Sequence, residues 1–202
     1  MNTVDILFRT LLPFFAYALG SIPWGLVLTR RFTSVDIRSA GSGNIGATNV
    51  RRTAGALLGL LTLILDILKG YLPTAAAVAL SGGPWQEAYA ASVAMAAFLG
   101  HLYPLYMRGS GGGKGVATAG GCTAALSPTA AGWAVLVFLA LVLGTRRVSV
   151  GSLAAAAVLP AALWAATGSA VLAVAGGLMA ACIILRHREN IRRLLSGREP
   201  RL

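Results

Sequence analysis

Charged residues are scarce in this chain, and their scarcity is the first constraint on its class. They make up only 11% of the 202 residues, whereas hydrophobic residues make up 56% and the mean hydropathy is +0.74. This composition excludes an ordinary soluble domain of this length and predicts membrane-spanning helices. The length suits one compact bundle, so we expect residues 1–202 to form a single domain.

Residues that serve metal and thiol chemistry are also rare. The chain has two cysteines and two histidines, and Cys122 and Cys182 both lie within apolar stretches. Without a Cys/His cluster they are typical of packing residues rather than of a disulfide or a zinc site. No Ser-His-Asp arrangement is evident either. We therefore expect no metal and no other cofactor.

Acidic residues are outnumbered by basic ones, six against seventeen, which gives a net charge of +11. In a soluble protein this excess would suggest nucleic acid. Here the basic residues flank apolar stretches, so membrane topology explains them and no nucleic-acid partner is expected. Fifteen of the seventeen fall into four polar segments, which we call the basic islands, at Arg30–Arg52, Arg108–Lys114, Arg146–Arg147 and Arg186–Arg201.

The apolar segments around the basic islands predict seven membrane-spanning helices, since a span needs about 20 apolar residues. Their bounds are roughly 4–28, 54–80, 86–104, 114–127, 128–144, 149–167 and 169–186. Only Ser127-Pro128 separates the fourth segment from the fifth, and if these two formed a re-entrant pair the number of crossings would be five. The abundance of Ala and Gly within the spans predicts a tightly packed bundle.

The loops at the opposite ends of these helices carry no Lys or Arg. They are Ser81–Gln86, the turn at Ser127-Pro128 and the turn around Gly168. By the positive-inside rule the basic islands then face the cytoplasm, and the N-terminus lies outside. The first segment lacks the basic region and the cleavage site of a signal peptide, so we expect it to be retained as the first helix.

The first basic island contains a glycine-rich loop. Gly41, Gly43 and Gly46 match the pattern GxGxxG, but an apolar helix precedes them instead of a strand, which excludes a dinucleotide fold. Glycines still let backbone N–H groups approach an anion. The side chains that would add hydrogen-bond donors are those of Ser42, Asn44, Thr48 and Asn49. The alternative is a polar interfacial loop that caps the next helix.

The second basic island is a run of glycines that ends in a lysine. It is not a nucleotide P-loop, because Arg108 stands where the Walker A pattern has Gly, and Gly115 where it has Ser or Thr. Free N–H groups at the start of a helix nevertheless form a phosphate cradle. Lys114 favours this interpretation over a flexible connector, since a cation at a helix N-terminus is disfavoured unless an anion compensates it.

For two further sets of charged residues we favour a structural role over a functional one. The third basic island lies at a helix entrance together with Ser149, and taken alone it is typical of a positive-inside anchor. Asp66 and Lys69 lie inside the second predicted span, one helical turn apart. Buried charges in a membrane tend to pair or to serve a site, and we favour a structural ion pair here.

The fourth basic island contains His187, whose type of side chain titrates nearest neutral pH. His187, Asn190 and Leu194 are predicted to share one helical face, and Glu189 is spaced to pair with Arg193. The alternative is a basic amphipathic tail that binds anionic lipid. The position of His187 beside the other basic islands favours a role in an active site.

Three motifs in the basic islands resemble those of one known family. They read GSGNIGATN at Gly41–Asn49, GGKGVAT at Gly112–Thr118 and HRENIRRL at His187–Leu194. In order and spacing they resemble the bacterial acyl-phosphate:glycerol-3-phosphate acyltransferases, the PlsY family, over the whole chain. The chain departs from that pattern at Arg147, where an aromatic residue is expected, and in the extra Ser and Gly content of Gly109–Gly111.

The resemblance implies transfer of a fatty acyl group from acyl phosphate to the sn-1 hydroxyl of glycerol 3-phosphate. The products would be lysophosphatidic acid and phosphate, at the first step of phospholipid synthesis. The HxxxxD motif of acyl-CoA-dependent enzymes is absent, since Tyr106 and Arg192 stand five residues after the two histidines, which favours acyl phosphate as donor. The resemblance also implies a multi-pass protein of the bacterial plasma (inner) membrane, surrounded by lipid, with its active site facing the cytoplasm. A monomer is the expected state.

The resemblance further implies one site assembled by all four basic islands. The glycine loop with Lys114 would hold glycerol 3-phosphate, and the first basic island would hold the acyl-phosphate head and the developing oxyanion. His187 would orient the nucleophile or act as a general base. The residues implied as catalytic are Ser42, Lys114, His187 and Asn190. Those implied in substrate binding are Arg38, Gly43, Asn44, Thr48, Asn49, Arg52, Gly112, Gly113, Gly115, Arg146 and Ser149.

A transporter for anions or phosphate esters is the main alternative, because it would also need a basic, glycine-rich vestibule. It predicts broken helices near the membrane midplane and polar residues on the far side, whereas the polar motifs here lie on one face. A structural membrane subunit would need none of the three motifs. The motifs therefore favour the enzyme.

Overall fold

The chain folds into α-helices, of which the fifth, Gln86–Leu102, packs against four others. This computed structural model describes residues 3–80, 82–83, 85–109 and 111–202, and all regular secondary structure within these ranges is helical, as predicted. The helices are α1 Thr3–Gly20, α2 Trp24–Phe32, α3 Ala47–Ala54, α4 Ala56–Leu80, α5 Gln86–Leu102, α6 Val116–Leu126, α7 Pro128–Thr145, α8 Val148–Thr167, α9 Ala170–Arg186 and α10 Arg188–Leu195. A single 3₁₀ turn, Leu105–Met107, follows α5.

Among the described residues, four helices are long and apolar enough to cross a membrane, namely α4, α5 with the turn after it, α7 and α8. The pairs α1–α2 and α9–α10 would each give a further crossing, with bends of 44° and 59°. α6 has 11 residues, or about 16 Å, which is short of the ~30 Å hydrocarbon core. All seven predicted segments contain a helix, while the number of complete crossings stays a prediction. Ser81 and Pro84 of the predicted outer loop lie outside the described residues.

The first predicted span, 4–28, is not one continuous helix, and this corrects the prediction. Residues 21–23 separate α1 from α2, because Pro23 has no N–H to donate and disfavours a helical conformation at the preceding Ile22. The carbonyl oxygen of Ile22 accepts a hydrogen bond from Lys69 Nζ over 2.8 Å. A side chain of α4 therefore satisfies the backbone that the break exposes.

The predicted ion pair inside the second span is present. Lys69 Nζ lies 2.8 Å from Asp66 Oδ1, and both side chains are almost completely buried. Opposite charges one turn apart offset each other in a region where an isolated charge is costly. The pair therefore fixes α4 against the break between α1 and α2.

Small residues bring the helices close together, as the Ala and Gly content predicts. Phe98 of α5 is fully buried, and α5 itself packs against α1, α4, α6 and α9. A Cβ added to Gly100 would lie 2.3 Å from the carbonyl oxygen of Tyr17 on α1, and one added to Gly121 would lie 2.1 Å from that of Ile67 on α4. Backbones touch at these points, so glycine is required there.

A second, smaller apolar cluster supports the first basic island. It consists of the buried side chains of Leu26, Ile37, Ile45 and Val50. These residues come from α2, from α3 and from the loop that joins them. The polar loop therefore has an apolar anchor that is separate from the main core.

Candidate active site

Residues from or next to all four basic islands line one cavity of about 730 Å³. Its polar end is lined by Ser42, Asn44, Thr48, Asn49, Arg52, Lys114, Gly115, Ser149, His187, Asn190, Arg193 and Glu199. Its apolar end extends between α4, α6, α7 and α8, where it is lined by Leu63, Ile67, Val116, Ala124, Ala131, Val135, Phe138, Leu139 and Leu159. One end therefore suits anionic groups and the other an aliphatic chain.

Five predicted site residues, all described by the structure, are not part of the cavity lining. They are Arg38, Gly43, Gly112, Gly113 and Arg146. Arg38 instead pairs with Asp36 over 2.9 Å at the surface, and its hydrogen bonds lower the pKa of Asp36 to about 2. Arg146 ends α7 in a left-handed conformation with φ 55°. The roles of these five residues in substrate binding stay predictions.

Buried Asn49 holds the glycine-rich loop of the first basic island in shape. Its Oδ1 accepts a hydrogen bond from Ser42 N over 2.9 Å. Its Nδ2 donates to the carbonyl oxygens of Ala40 and Asn44 over 3.0 and 2.9 Å. Gly41 adopts a left-handed conformation that lets the loop close around this amide. Because both ends of the Asn49 amide are engaged, the geometry gives it a supporting role, and Ser42 and Asn44 are better placed as substrate ligands.

Lys114 joins the second basic island to the fourth. Its Nζ donates to Asn190 Oδ1 over 2.6 Å. Burial lowers the pKa of Lys114, and the charges of Arg193 and Arg52 lower it further, against the opposing effect of Glu199. A phosphate group beside Lys114 would supply the negative charge that this half-buried cation lacks.

Glu199 is the centre of a hydrogen-bond network in the fourth basic island. Asn190 Nδ2 donates to its Oε1 over 2.6 Å, and Arg193 Nε donates to its Oε2 over 2.7 Å. Burial acts to raise the pKa of Glu199, but these hydrogen bonds outweigh it and the pKa is lowered. The chain of contacts Lys114–Asn190–Glu199 therefore fixes the orientation of the Asn190 amide.

The predicted pairing of Glu189 with Arg193 was wrong. Arg193 pairs with Glu199, while Glu189 pairs with Arg192 over 3.2 Å at the surface. The reason is burial, since a carboxylate removed from water needs a charged partner more than an exposed one does. Glu199 is 8% exposed, so it is the carboxylate that forms the ion pair with Arg193.

His187 lies in the bend between α9 and α10, so the predicted continuous helical face through His187, Asn190 and Leu194 is corrected. The two helices meet there at 59°, yet His187 and Asn190 both remain buried and line the cavity. His187 Nδ1 lies 2.8 Å from the carbonyl oxygen of Ile183. A carbonyl can only accept, so Nδ1 carries the proton and Nε2 is left as an acceptor.

The pH dependence of the rate tests this assignment. Burial, assisted by Lys114 and opposed by the Ile183 contact, lowers the pKa of His187 to about 4. The ring is therefore neutral at neutral pH, and we expect the rate to fall only as the pH drops through about 4. A pH–rate profile of the wild type and of His187→Gln measures this. A step near pH 6.5 that His187→Gln removes would contradict a neutral His187.

The residues of the cavity lining that the sequence predictions missed include Arg193 and Glu199 on the tail and Asp66 and His101 in the core. Gly197 was the available signal for Glu199. A glycine just after a helix predicts a chain reversal, and here it has φ 71° and turns the tail back beneath α10. Within the described residues, no three His, Cys, Asp or Glu side chains come together so as to hold a metal ion.

Comparison with known proteins identifies the family. A family model described as glycerol-3-phosphate acyltransferase matches residues 10–197. A glycerol-3-phosphate acyltransferase of Syntrophotalea carbinolica is 48% identical over 92% of this chain and 93% of its own, and one of Geobacter sulfurreducens is 46% identical with the same coverage. A crystal structure of PlsY, described as an integral membrane glycerol 3-phosphate acyltransferase in its glycerol 3-phosphate form, superposes with a TM-score of 0.90. It is 42% identical and covers 96% of this chain and 95% of its own.

The chain therefore belongs to the glycerol-3-phosphate acyltransferase family, of the PlsY type. A second PlsY structure, in a lysophosphatidic acid form, superposes with a TM-score of 0.87. The predicted family, the all-α integral membrane fold and the acyltransferase activity are confirmed. The bent first span is a feature that the transporter alternative also predicts, and family membership decides in favour of the enzyme.

Proposed function

We propose that this acyltransferase takes its acyl group from acyl phosphate and gives it to the sn-1 hydroxyl of glycerol 3-phosphate, with lysophosphatidic acid and phosphate as products. The observation that carries the proposal is one cavity with two different ends. Its polar end joins a lysine-tipped glycine loop to the first basic island, and its apolar end runs between four helices. Two phosphate groups and one aliphatic chain are what the two substrates bring.

Glycerol 3-phosphate is assigned to the second basic island. Lys114 supplies a half-buried positive charge, and the N-terminus of α6 begins at Gly115 beside it. Unpaired N–H groups and the positive end of the helix dipole favour a phosphate there. Since Lys114 also contacts Asn190, a phosphate at this point would place the glycerol hydroxyls near His187. The related PlsY structure in a glycerol 3-phosphate form supports such a site.

Acyl phosphate is assigned to the first basic island and the apolar end of the cavity. Ser42, Asn44 and Thr48 offer neutral hydrogen-bonding side chains to the phosphate and to the carbonyl oxygen, and Arg52 adds a cation. The acyl chain would continue between α4, α6, α7 and α8. Burying a chain of this kind contributes about 0.8 kcal/mol per CH₂ group, so the apolar end adds substantially to the binding of the donor.

The reaction needs no acyl-enzyme, because acyl phosphate is a mixed anhydride and already activated. The sn-1 hydroxyl oxygen attacks the acyl carbon, the bond between that carbon and the phosphate oxygen breaks, and phosphate leaves with the hydroxyl proton. His187 Nε2 is the acceptor on this chain that could pass the proton on. A phosphate oxygen of the donor is the alternative acceptor.

We place the basic islands on the cytoplasmic side of a bacterial plasma membrane. The positive-inside rule supports this orientation, since fifteen of the seventeen Lys and Arg residues lie in the islands. The bacterial origin of the relatives supports the location. We propose a monomer as the active unit, since residues from or next to all four basic islands of the same chain contribute to the cavity.

Phosphate release from purified protein tests the proposed function. With palmitoyl phosphate we expect release only when glycerol 3-phosphate is also present, with an equal amount of lysophosphatidic acid. Palmitoyl-CoA serves as the control donor and should give no product. Release without glycerol 3-phosphate and without lysophosphatidic acid would contradict the reaction, whereas product from palmitoyl-CoA would contradict the donor.

A further inference from the structure

A buried pair of polar residues that the proposed mechanism does not use also reaches the cavity. Asp66 on α4 and His101 on α5 are 3% and 4% exposed, and both line the cavity wall. Asp66 Oδ1 lies 2.8 Å from Lys69 Nζ and 3.7 Å from His101 Nδ1. Lys69 already offsets the charge of Asp66, so the ion pair is complete without the histidine. Neutralising Asp66 therefore does not explain why a histidine is buried at position 101.

The opposite edge of the His101 ring lies against the glycine loop. A Cβ added to Gly113 would lie only 2.1 Å from His101 Nε2. Gly113 N also donates to the carbonyl oxygen of His101 over 3.2 Å. The imidazole thus occupies the space that a side chain at Gly113 would need, one residue before Lys114.

Gly112, the preceding residue of the glycine loop, packs against the same end of α5. A Cβ added to Gly112 would lie 2.1 Å from the carbonyl oxygen of Leu102. Arg186 donates to that carbonyl from α9 and stacks over the ring of Tyr103, with its guanidinium carbon 4.8 Å from the ring centroid. The position of the loop is therefore set by the last turn of α5, on which His101 lies.

The His101 ring has room to adjust towards Asp66. Among the described residues, His101 Nδ1 has no hydrogen-bond partner, and its 3.7 Å separation from Asp66 Oδ1 is longer than a hydrogen bond. Shortening this contact would fix the ring orientation and, through it, the backbone of Gly113.

We propose that Asp66 and His101 form a positioning pair for the glycine loop. Asp66 orients the imidazole of His101, and the imidazole supports Gly113 so that Lys114 and the loop N–H groups meet the phosphate of glycerol 3-phosphate. The pair acts through the loop and not on the reacting atoms. This inference rests on the proposed function, because it gives a task to residues behind the proposed glycerol 3-phosphate site.

The test compares substitutions in the pair with a matched control in the same region. His101→Ala removes the ring, His101→Gln restores an amide near the Nε2 position, and Asp66→Asn keeps the shape but removes the charge. Thr118→Val is the control, since Thr118 is fully buried on α6 and its hydroxyl has no partner among the described residues. The measurements are KM for each substrate, kcat, the apparent Tm in detergent, and the Kd of glycerol 3-phosphate without donor.

We expect His101→Ala to raise KM and Kd for glycerol 3-phosphate about tenfold, while KM for palmitoyl phosphate and kcat change less than about threefold. Asp66→Asn should shift the same two constants by a smaller factor, and His101→Gln should recover part of the loss. Thr118→Val should match the wild type. The double variant His101→Ala/Gly113→Ala should bind glycerol 3-phosphate no more weakly than Gly113→Ala alone, because the methyl group added at Gly113 displaces the same ring that His101→Ala removes.

Other outcomes would overturn the inference. A fall in kcat with KM unchanged would make His101 a residue that touches the reacting atoms. Equal losses for both substrates, together with a large fall in Tm for both His101 variants, would make its role purely structural. Unchanged constants would remove the role altogether. Failure of the proposed function differs from all of these, because it would show in the wild type as absence of acyl transfer, while the Kd series still reports on the loop.

Discussion

Replacing Lys114 with methionine is expected to lower kcat/KM by about 10³-fold, since under the proposed function it removes the cation that pairs with the substrate phosphate, a loss of about 2–5 kcal/mol. Methionine keeps the apolar stem and removes the ammonium group that donates to Asn190. KM for glycerol 3-phosphate should rise more than KM for the acyl donor, because the lysine belongs to the glycine loop. Steady-state kinetics with each substrate varied in turn measures both effects.

Arg30→Met is the matched control for this substitution. Arg30 is an exposed residue in the last turn of α2, and like Lys114 it contributes one positive charge to a basic island. We expect its kinetics to stay within about twofold of the wild type, since surface substitutions away from a site are usually near neutral. Comparable losses in the two variants would mean that overall charge, and not the position of Lys114, governs the rate.

Glu199→Gln is expected to reduce both activity and thermal stability. The substitution removes the charge that pairs with Arg193, and it leaves one acceptor oxygen for the two donors, Asn190 Nδ2 and Arg193 Nε, that now share the carboxylate. The Asn190 amide that contacts Lys114 is therefore held less firmly. Breaking this largely buried network should cost about 1–3 kcal/mol, which for a protein of this size lowers the apparent Tm by roughly 2–12 °C. Thermal scans in detergent and steady-state rates on the same preparation report the two effects.

The stability difference should depend on pH in one direction. The pKa of Glu199 is lowered in the folded protein, so its contribution is complete above the ordinary value of 4.5 and is lost as the pH falls through the lowered one. Wild type and Glu199→Gln should therefore differ in Tm at pH 7 and converge in acid. Glu189→Gln is the control, since Glu189 pairs only at the surface, and it should leave Tm within about 1 °C. A Tm for Glu199→Gln equal to that of the wild type at pH 7 would contradict the network.

The convergence of the basic islands could be predicted from sequence because it follows from simple rules. Each apolar helix reverses the direction of the chain, so polar segments at alternate ends must meet on one face. Lys114 and His187 could be chosen within those segments because a lysine at a helix N-terminus is disfavoured without an anion, and His187 is one of only two histidines, whose side chains titrate nearest neutral pH. The structure places both in one cavity.

Other details could not be predicted because they depend on contacts distant in sequence. Asn49 was expected to bind substrate, yet its amide is engaged by the backbone of its own loop. Arg193 was predicted to pair with Glu189, one helical turn away, but it pairs with the buried carboxylate of Glu199 beyond the end of α10. His101 attracted no prediction because its contact with Gly113 exists only once α5 and the loop are packed together.

The apolar end of the cavity lies against α7, which of the four long spans is the least buried within the protein. Leu136 and Leu143 on this helix are 65% and 77% exposed and would face lipid. Under the proposed function, the two reactants differ in solubility and would approach from different phases, the water-soluble one from the aqueous side and the lipid-like one sideways from the leaflet. A product with a single chain could then return to the same leaflet without crossing water, so the next enzyme to modify it would find it already dissolved in the membrane.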